Sequence, residues 1–125
     1  MNFREELPPD CPPADAEEIA SAREVFRLVR SMPPAPADFD SQRREKPGWK
    51  FGVPECLARG VSVFSDSSDC ERVMKLPHMR GRKICRVRLD SGAGKIKKTF
   101  DHSHHTWWPF ASFDILGHCN GGQTA

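Results

Sequence analysis

The sequence predicts an α+β protein: a small antiparallel or mixed sheet with one or two helices, preceded by a proline-rich N-terminal arm that carries a helix of its own. Three observations predict it. Nine of the eleven prolines lie in the first 54 residues, where each removes an amide donor and interrupts regular structure. One stretch between two proline clusters repeats apolar residues at spacings of three and four, the period of a helix face. The second half instead breaks into short β-branched runs separated by Gly, Ser and Asp, which is the pattern of strands and turns. The expected organisation is an arm over residues 1–47, a compact unit over 48–117 and a flexible tail over 118–125.

In the arm, Asp15 can cap a helix, Glu17, Glu18 and Glu24 favour its N-terminal half, and Arg27 and Arg30 its C-terminal half, as the helix dipole prefers. Ile19, Ala22, Phe26 and Val29 form its apolar stripe, and the run from Met32 to Pro36 ends it. In the compact unit, Gly60 introduces a strand over residues 61–64, and the Ser/Asp run 65–69 can cap a short helix over 70–76, stopped by Pro77. Residues 83–89 and 95–100 flank a Ser-Gly-Ala-Gly turn, so 83–100 reads as a β-hairpin. A last strand is expected over 110–116, and residues 120–125 as a disordered end.

Composition narrows the function classes. Apolar residues make up 38% of the chain, below the roughly 45–50% of an average globular sequence. Apolar runs fall well short of the roughly 18 residues a membrane helix needs, and the acidic, proline-rich N-terminus is unlike a secretory signal. The five cysteines are odd in number, widely spaced and without a Cys-x-x-Cys pair. Reduced thiols in a cytoplasmic protein are the expectation, with Cys85 a buried apolar residue. The formal net charge of +2 conceals a strong asymmetry. Residues 1–40 carry four basic and nine acidic side chains, whereas residues 71–100 carry ten and two.

Two features could carry chemistry. In the expected hairpin Arg88 lies opposite Lys97 and Arg86 opposite Thr99, with Arg80, Arg82 and Lys83 extending the basic surface. Like charges facing across a strand pair repel, so an anionic partner, a nucleotide or nucleic-acid phosphate, would relieve them. A solvated sheet edge kept positive against aggregation accounts for the same residues. The second feature is the string Asp101-His102-Ser103-His104-His105-Thr106-Trp107-Trp108-Pro109. Imidazole titrates near neutral pH and indole offers a stacking plane with a donor. The string therefore suits a pocket for a flat ring, with His104 or His105 as general acid or base, and equally a packed sheet whose histidines cap turns. A zinc set of His102, His104, His118 and Cys119 lacks any standard ligand spacing, so no metal site is expected. The cofactor stays open, because Walker, dinucleotide and nucleophile-elbow fingerprints are all missing.

The segment Leu57-Ala58-Arg59-Gly60-Val61-Ser62-Val63-Phe64-Ser65-Asp66, followed by a short helix and the strand 84–89, resembles the layout of small ADP-ribosyltransferase-like domains over about 35 residues. The resemblance implies a phosphate contact from Arg59 and a place for Ser62 beneath a nicotinamide. The glutamate that such transferases carry on a late strand has no counterpart, since the last glutamate here is Glu71. Phosphate-handling versions of that fold use Arg and His instead, which Arg86, Arg88, His104 and His105 could supply. The Gly-Val-Ser-Val-Phe strand with its His/Thr/Trp string is also similar to small uncharacterised bacterial proteins. The expected function is binding, and processing if catalytic, of a nucleotide or nucleic-acid phosphate through Arg59, Ser62, Arg86, Arg88, Lys97 and Trp107. The alternative is a non-catalytic docking module of the immunity, antitoxin or phage-inhibitor kind, with a protein partner and no membrane.

Overall fold

Six strands form one fully antiparallel sheet in the computed structural model, which describes residues 2–119. In chain order the elements are β1 (Glu17–Glu18), β2 (Arg23–Val29), α1 (Gln42–Glu45), α2 (Glu55–Ala58), β3 (Val61–Phe64), α3 (Ser67–Met74), β4 (Lys83–Leu89), β5 (Gly94–Lys98) and β6 (His104–Pro109), with 3-10 turns at Pro36–Phe39, Pro77–Met79 and Leu116–His118. The strands lie in the order β1-β5-β6-β3-β2-β4. The architecture is the α+β class that the sequence predicts. The expected disordered end over 120–125 lies outside the described residues.

The arm helix is the first correction. Residues 23–29 form a strand inside the sheet, pairing with β4 from Arg23↔Leu89 to Val29↔Lys83 and with β3 at Phe26↔Phe64. A strand covered on both faces reads as a nearly continuous apolar run. Val25-Phe26-Arg27-Leu28-Val29 is such a run, with Val25 and Val29 buried on one face and Leu28 on the other. Of the three-and-four stripe, Phe26 and Val29 belong to this strand, while Ile19 and Ala22 precede it in irregular chain, so the helical spacing joins residues that share no helix face.

The hairpin is the second correction. β4 pairs with β2, whereas β5 pairs with β6 and β1, so Arg88 faces Glu24, Arg86 faces Phe26 and Lys97 faces Thr106. The turn does form, closed by the Ala93 amide on the Asp90 carbonyl at 3.0 Å. The chain leaving it then crosses the sheet, and Ala93 enters the core. Gly94 makes that crossing workable. Its φ is +124, and a Cβ there would run into the Trp108 carbonyl and the backbone of Pro109 and Phe110, so only glycine fits. The last strand also falls earlier than expected, at 104–109; Phe110 forms a bridge with Phe3, and residues 111–116 form no strand.

One face of the sheet holds the main core. Val25, Val61, Val63, Cys85, Val87, Leu89, Ile96 and Trp107 are buried there beneath Ile19, Phe39, Ala93 and Ile115. Trp107 is fully buried and donates its indole N–H to the Ala93 carbonyl at 3.0 Å. The short helix comes earlier than expected, at 67–74, capped by Asp66 on the Ser68 amide at 3.0 Å. It packs across β2, β3 and β4, with Cys70 buried beneath it. The N-terminal strap is tied down as well. Cys11 and Cys56 form a disulfide with Cα atoms 5.6 Å apart, which corrects the expectation of five reduced thiols. No helix among the described residues is long and apolar enough to cross a membrane.

Candidate functional site

A hollow of about 270 Å³ opens where β2 and β3 part. The two strands share one residue pair, Phe26↔Phe64, and beyond it the side chain of Arg27 spans the opening. Its Nε donates to the Asp38 carbonyl at 2.7 Å, Nη1 to the Ser62 carbonyl at 2.7 Å and Nη2 to the Asp40 carbonyl at 3.3 Å. The guanidinium also lies over the Phe39 ring, 5.8 Å from its centroid. A charged side chain thus joins β2 to β3 and to the loop before α1.

That loop is organised by Asp38. Its carboxylate accepts from the Arg30 amide at 2.7 Å, the Ser31 hydroxyl at 2.8 Å and the Ala35 amide at 2.9 Å. Burial alone would raise the Asp38 pKa, but these bonds and the Arg27 charge hold it below the ordinary value. An ionised Asp38 fixes the loop, and the fixed loop presents the carbonyls that Arg27 needs.

A guanidinium has five N–H donors. The carbonyls take three of Arg27's, so one N–H remains on each terminal nitrogen, and among the described residues Arg27 forms no direct ion pair. Burial pulls its pKa down to about 10, opposed by the charges of Glu45 and Asp38, so it stays cationic at neutral pH. The two carboxylates on the groove wall are engaged elsewhere. Asp40 pairs with Arg4 at 3.4 Å and Arg44 at 3.3 Å, and Glu45 with Arg30 at 2.9 Å. Arg82, also on the wall, has no ion pair among the described residues, and its charge acts against that of Arg27. An anion in the groove would meet two under-compensated guanidinium groups, one with an N–H free on each terminal nitrogen, the pattern that bidentate recognition of phosphate or carboxylate uses.

His104 borders the same groove. Its Nδ1 lies 3.0 Å from the Thr99 hydroxyl, which in turn lies 2.8 Å from the hydroxyl of buried Thr106. Its ring meets Phe64 edge-on, with centroids 5.3 Å apart. Burial lowers the His104 pKa, and the nearby His105, Lys98 and Arg27 charges act the same way. A depressed imidazole pKa means that the unfolded chain takes up the proton first. The His104 contribution to stability is therefore complete above the ordinary value of 6.5 and is lost as the pH falls below it. Urea titrations from pH 7.5 to 5 should show wild-type stability declining more steeply than that of His104→Gln. Equal slopes would remove the buried, neutral imidazole.

Of the residues that the sequence singles out, the groove brings together Ser62, His104 and Arg82 of the expected basic surface. Arg59 is occupied elsewhere, by Glu55 at 2.8 Å and the Glu6 carbonyl at 2.8 Å. Arg86 lies 3.6 Å from Glu24, and Lys97 pairs with Asp15. The acidic N-terminal segment therefore neutralises part of the basic block within the fold. Arg88 is exposed on β4, opposite Glu24 in the register. His105 and Trp107 share the core face of β6, as alternation along a strand requires, His105 placing Nδ1 2.8 Å from the Ser103 carbonyl. His118 sits away from His104, its Nδ1 2.7 Å from the Asp114 carbonyl. Among the described residues no group of three or more His, Cys, Asp or Glu could hold a metal ion.

The sequence reading missed Arg27 and Phe64 as site residues; it placed Arg82 on the basic surface of the expected hairpin, whereas Arg82 lines the groove. A signal for Arg27 was present: a single charge inside the run Val25–Val29 has to be satisfied once that run is read as a central strand. Comparison with known proteins found no matching family model, curated sequence or solved structure.

Proposed function

We propose that the protein binds a phosphate-bearing ligand of nucleotide size in the groove between β2, β3 and α3. The carrying observation is Arg27, a half-buried cation held by three carbonyls and no carboxylate, with two N–H donors left over beside the groove. Arg82 adds a second positive charge, and the Ser62 and His104 side chains supply neutral polar groups on the wall. The volume of about 270 Å³ suits a mononucleotide or the phosphate end of a longer chain, with the remainder in solvent. The docking-module reading has less support, because it needs the acidic segment and the basic block on display. Asp15 and Glu24 instead pair with Lys97 and Arg86.

Thermal shift and calorimetric titration with AMP, UMP and inorganic phosphate at low salt test the proposal. Ligand at about 100 times Kd should stabilise the fold by about 2.7 kcal/mol, and Arg82→Ala should weaken binding about tenfold while leaving the unliganded midpoint nearly unchanged. Absence of any shift with all three ligands, at low and at physiological salt, would overturn it.

A further inference from the structure

Phe100 sits at the tip of the β5–β6 turn in a placement that nothing in the core demands. It is 57% exposed, and its φ of +57 puts a bulky side chain in the left-handed region, which phenylalanine seldom adopts. His102, two residues on, is also left-handed, with φ +59. The turn is nevertheless built firmly. The Thr99 amide donates to the His104 carbonyl at 3.1 Å, and Ser103 is anchored from α3 by Asp69, through its amide at 3.0 Å and its hydroxyl at 2.6 Å. The fold therefore holds an apolar ring in water, in an unfavourable backbone conformation, at a fixed place.

That place adjoins the groove. The Phe100 ring packs against the His104 imidazole at 5.1 Å and 61°, and the same imidazole borders the groove and meets Phe64. Its Nδ1 is engaged by Thr99, while Nε2 has no hydrogen-bond partner among the described residues. An open phenyl face beside an unspent imidazole nitrogen suits a flat ring that carries polar atoms on its edge. A purely apolar group would cover the phenyl ring and leave the nitrogen unsatisfied.

We infer that Phe100 and His104 form a nucleobase subsite next to the phosphate groove, so that the ligand is a nucleotide or an RNA or DNA end, not a simple sugar phosphate. The base stacks on Phe100, its edge reaches His104 Nε2, and its phosphate lies toward Arg27 and Arg82. This rests on the groove reading above and adds the aromatic half of the ligand.

Calorimetric titration of the full chain with AMP and with ribose 5-phosphate, in wild type and Phe100→Ala, tests the inference. Stacking of one base on an aromatic side chain is worth roughly a tenfold change in affinity or more. AMP should bind at least about tenfold tighter than ribose 5-phosphate to the wild type, and Phe100→Ala should erase that difference without altering ribose 5-phosphate affinity. Phe100→Leu, which keeps an apolar side chain but no flat face, should behave like Phe100→Ala. Equal wild-type affinities for the two ligands, or a preference for AMP that survives in Phe100→Ala, would overturn the base subsite and leave the phosphate groove standing. Failure of both ligands to bind would overturn the groove, and the subsite with it.

Discussion

Arg27→Met is expected to abolish nucleotide and phosphate binding and to lower the stability of the fold by about 2–3 kcal/mol. The binding loss follows from the two remaining N–H donors, because methionine has nothing to offer an anion. The stability loss follows from the three carbonyls that Arg27 joins: Asp38 on the loop, Asp40 before α1 and Ser62 on β3. Hydrogen bonds from a charged donor contribute about 1.5–3 kcal/mol each, but removing a partly buried cation recovers much of its desolvation cost. The net should therefore be close to the contribution of one such bond. Arg27→Lys is the informative companion. One ammonium on a flexible stem cannot reach three carbonyls and still present a two-pronged donor, so lysine should restore part of the stability and little of the affinity. Urea denaturation with an unchanged slope, paired with calorimetry, reads both effects. Retained affinity in Arg27→Met would remove the guanidinium from the site altogether. A more stable variant that no longer binds would instead show that the fold tolerates this cation at a cost to itself, for the sake of a ligand.

The position of Arg27 also explains what the sequence made legible. Strands β3 and β4 were plain, because Val61–Phe64 and Lys83–Leu89 combine β-branched residues with period-two alternation, and the helix after the Ser/Asp run was evident from its caps. In the expected arm over residues 1–47, the strand β2 was read as a helix, because a central strand with apolar groups on both faces can imitate the three-and-four repeat of a helix. Once β2 was misplaced, β4 lacked its real neighbour, and the adjacent β5 looked like its hairpin partner. The candidate site suffered from the same error. Ser62 was singled out through the resemblance to ADP-ribosyltransferase-like domains and His104 through its place in the His/Trp string, and both line the groove. Arg27 reaches the groove, and Arg82 reaches it from the entrance of β4, through pairings between β2, β3 and β4 that span up to 66 residues of sequence, and no local pattern records those. The charge asymmetry was read correctly as a quantity, but its meaning depended on the same pairings, which bring Glu24 to Arg86 and Asp15 to Lys97.

Reduction of the Cys11–Cys56 disulfide is expected to lower stability by about 2–4 kcal/mol. The bond joins residues 45 apart in sequence, and closing a loop of that length removes about 4 kcal/mol of chain entropy from the unfolded state. The observed loss should fall somewhat below that figure, because the strap is held by other contacts as well. Arg4 donates to the Phe39 carbonyl at 2.6 Å, Arg59 to the Glu6 carbonyl at 2.8 Å, and Glu5 accepts from the Ser41 amide at 2.9 Å. A strap with these anchors stays docked in the folded, reduced protein, so the effect is carried chiefly by the unfolded chain. Denaturant titrations with and without a phosphine reductant, alongside a Cys11→Ser, Cys56→Ser double variant, test this. The double variant should match the reduced wild type and show no further response to reductant, since the other three cysteines, Cys70, Cys85 and Cys119, are free thiols that leave a reductant no further bond to cleave. An unchanged midpoint on reduction would mean that the bond does not close this loop in solution. The consequence reaches the groove through one side chain. Glu5 holds the amide and hydroxyl of Ser41, Ser41 caps α1 by accepting from the Arg44 amide at 3.1 Å, and α1 carries Gln42 and Glu45 on the groove wall. If the reduced strap stays docked as argued, phosphate affinity should be nearly the same in both redox states even though stability is not, and a parallel fall in both would show that the disulfide is what keeps Glu5 on Ser41.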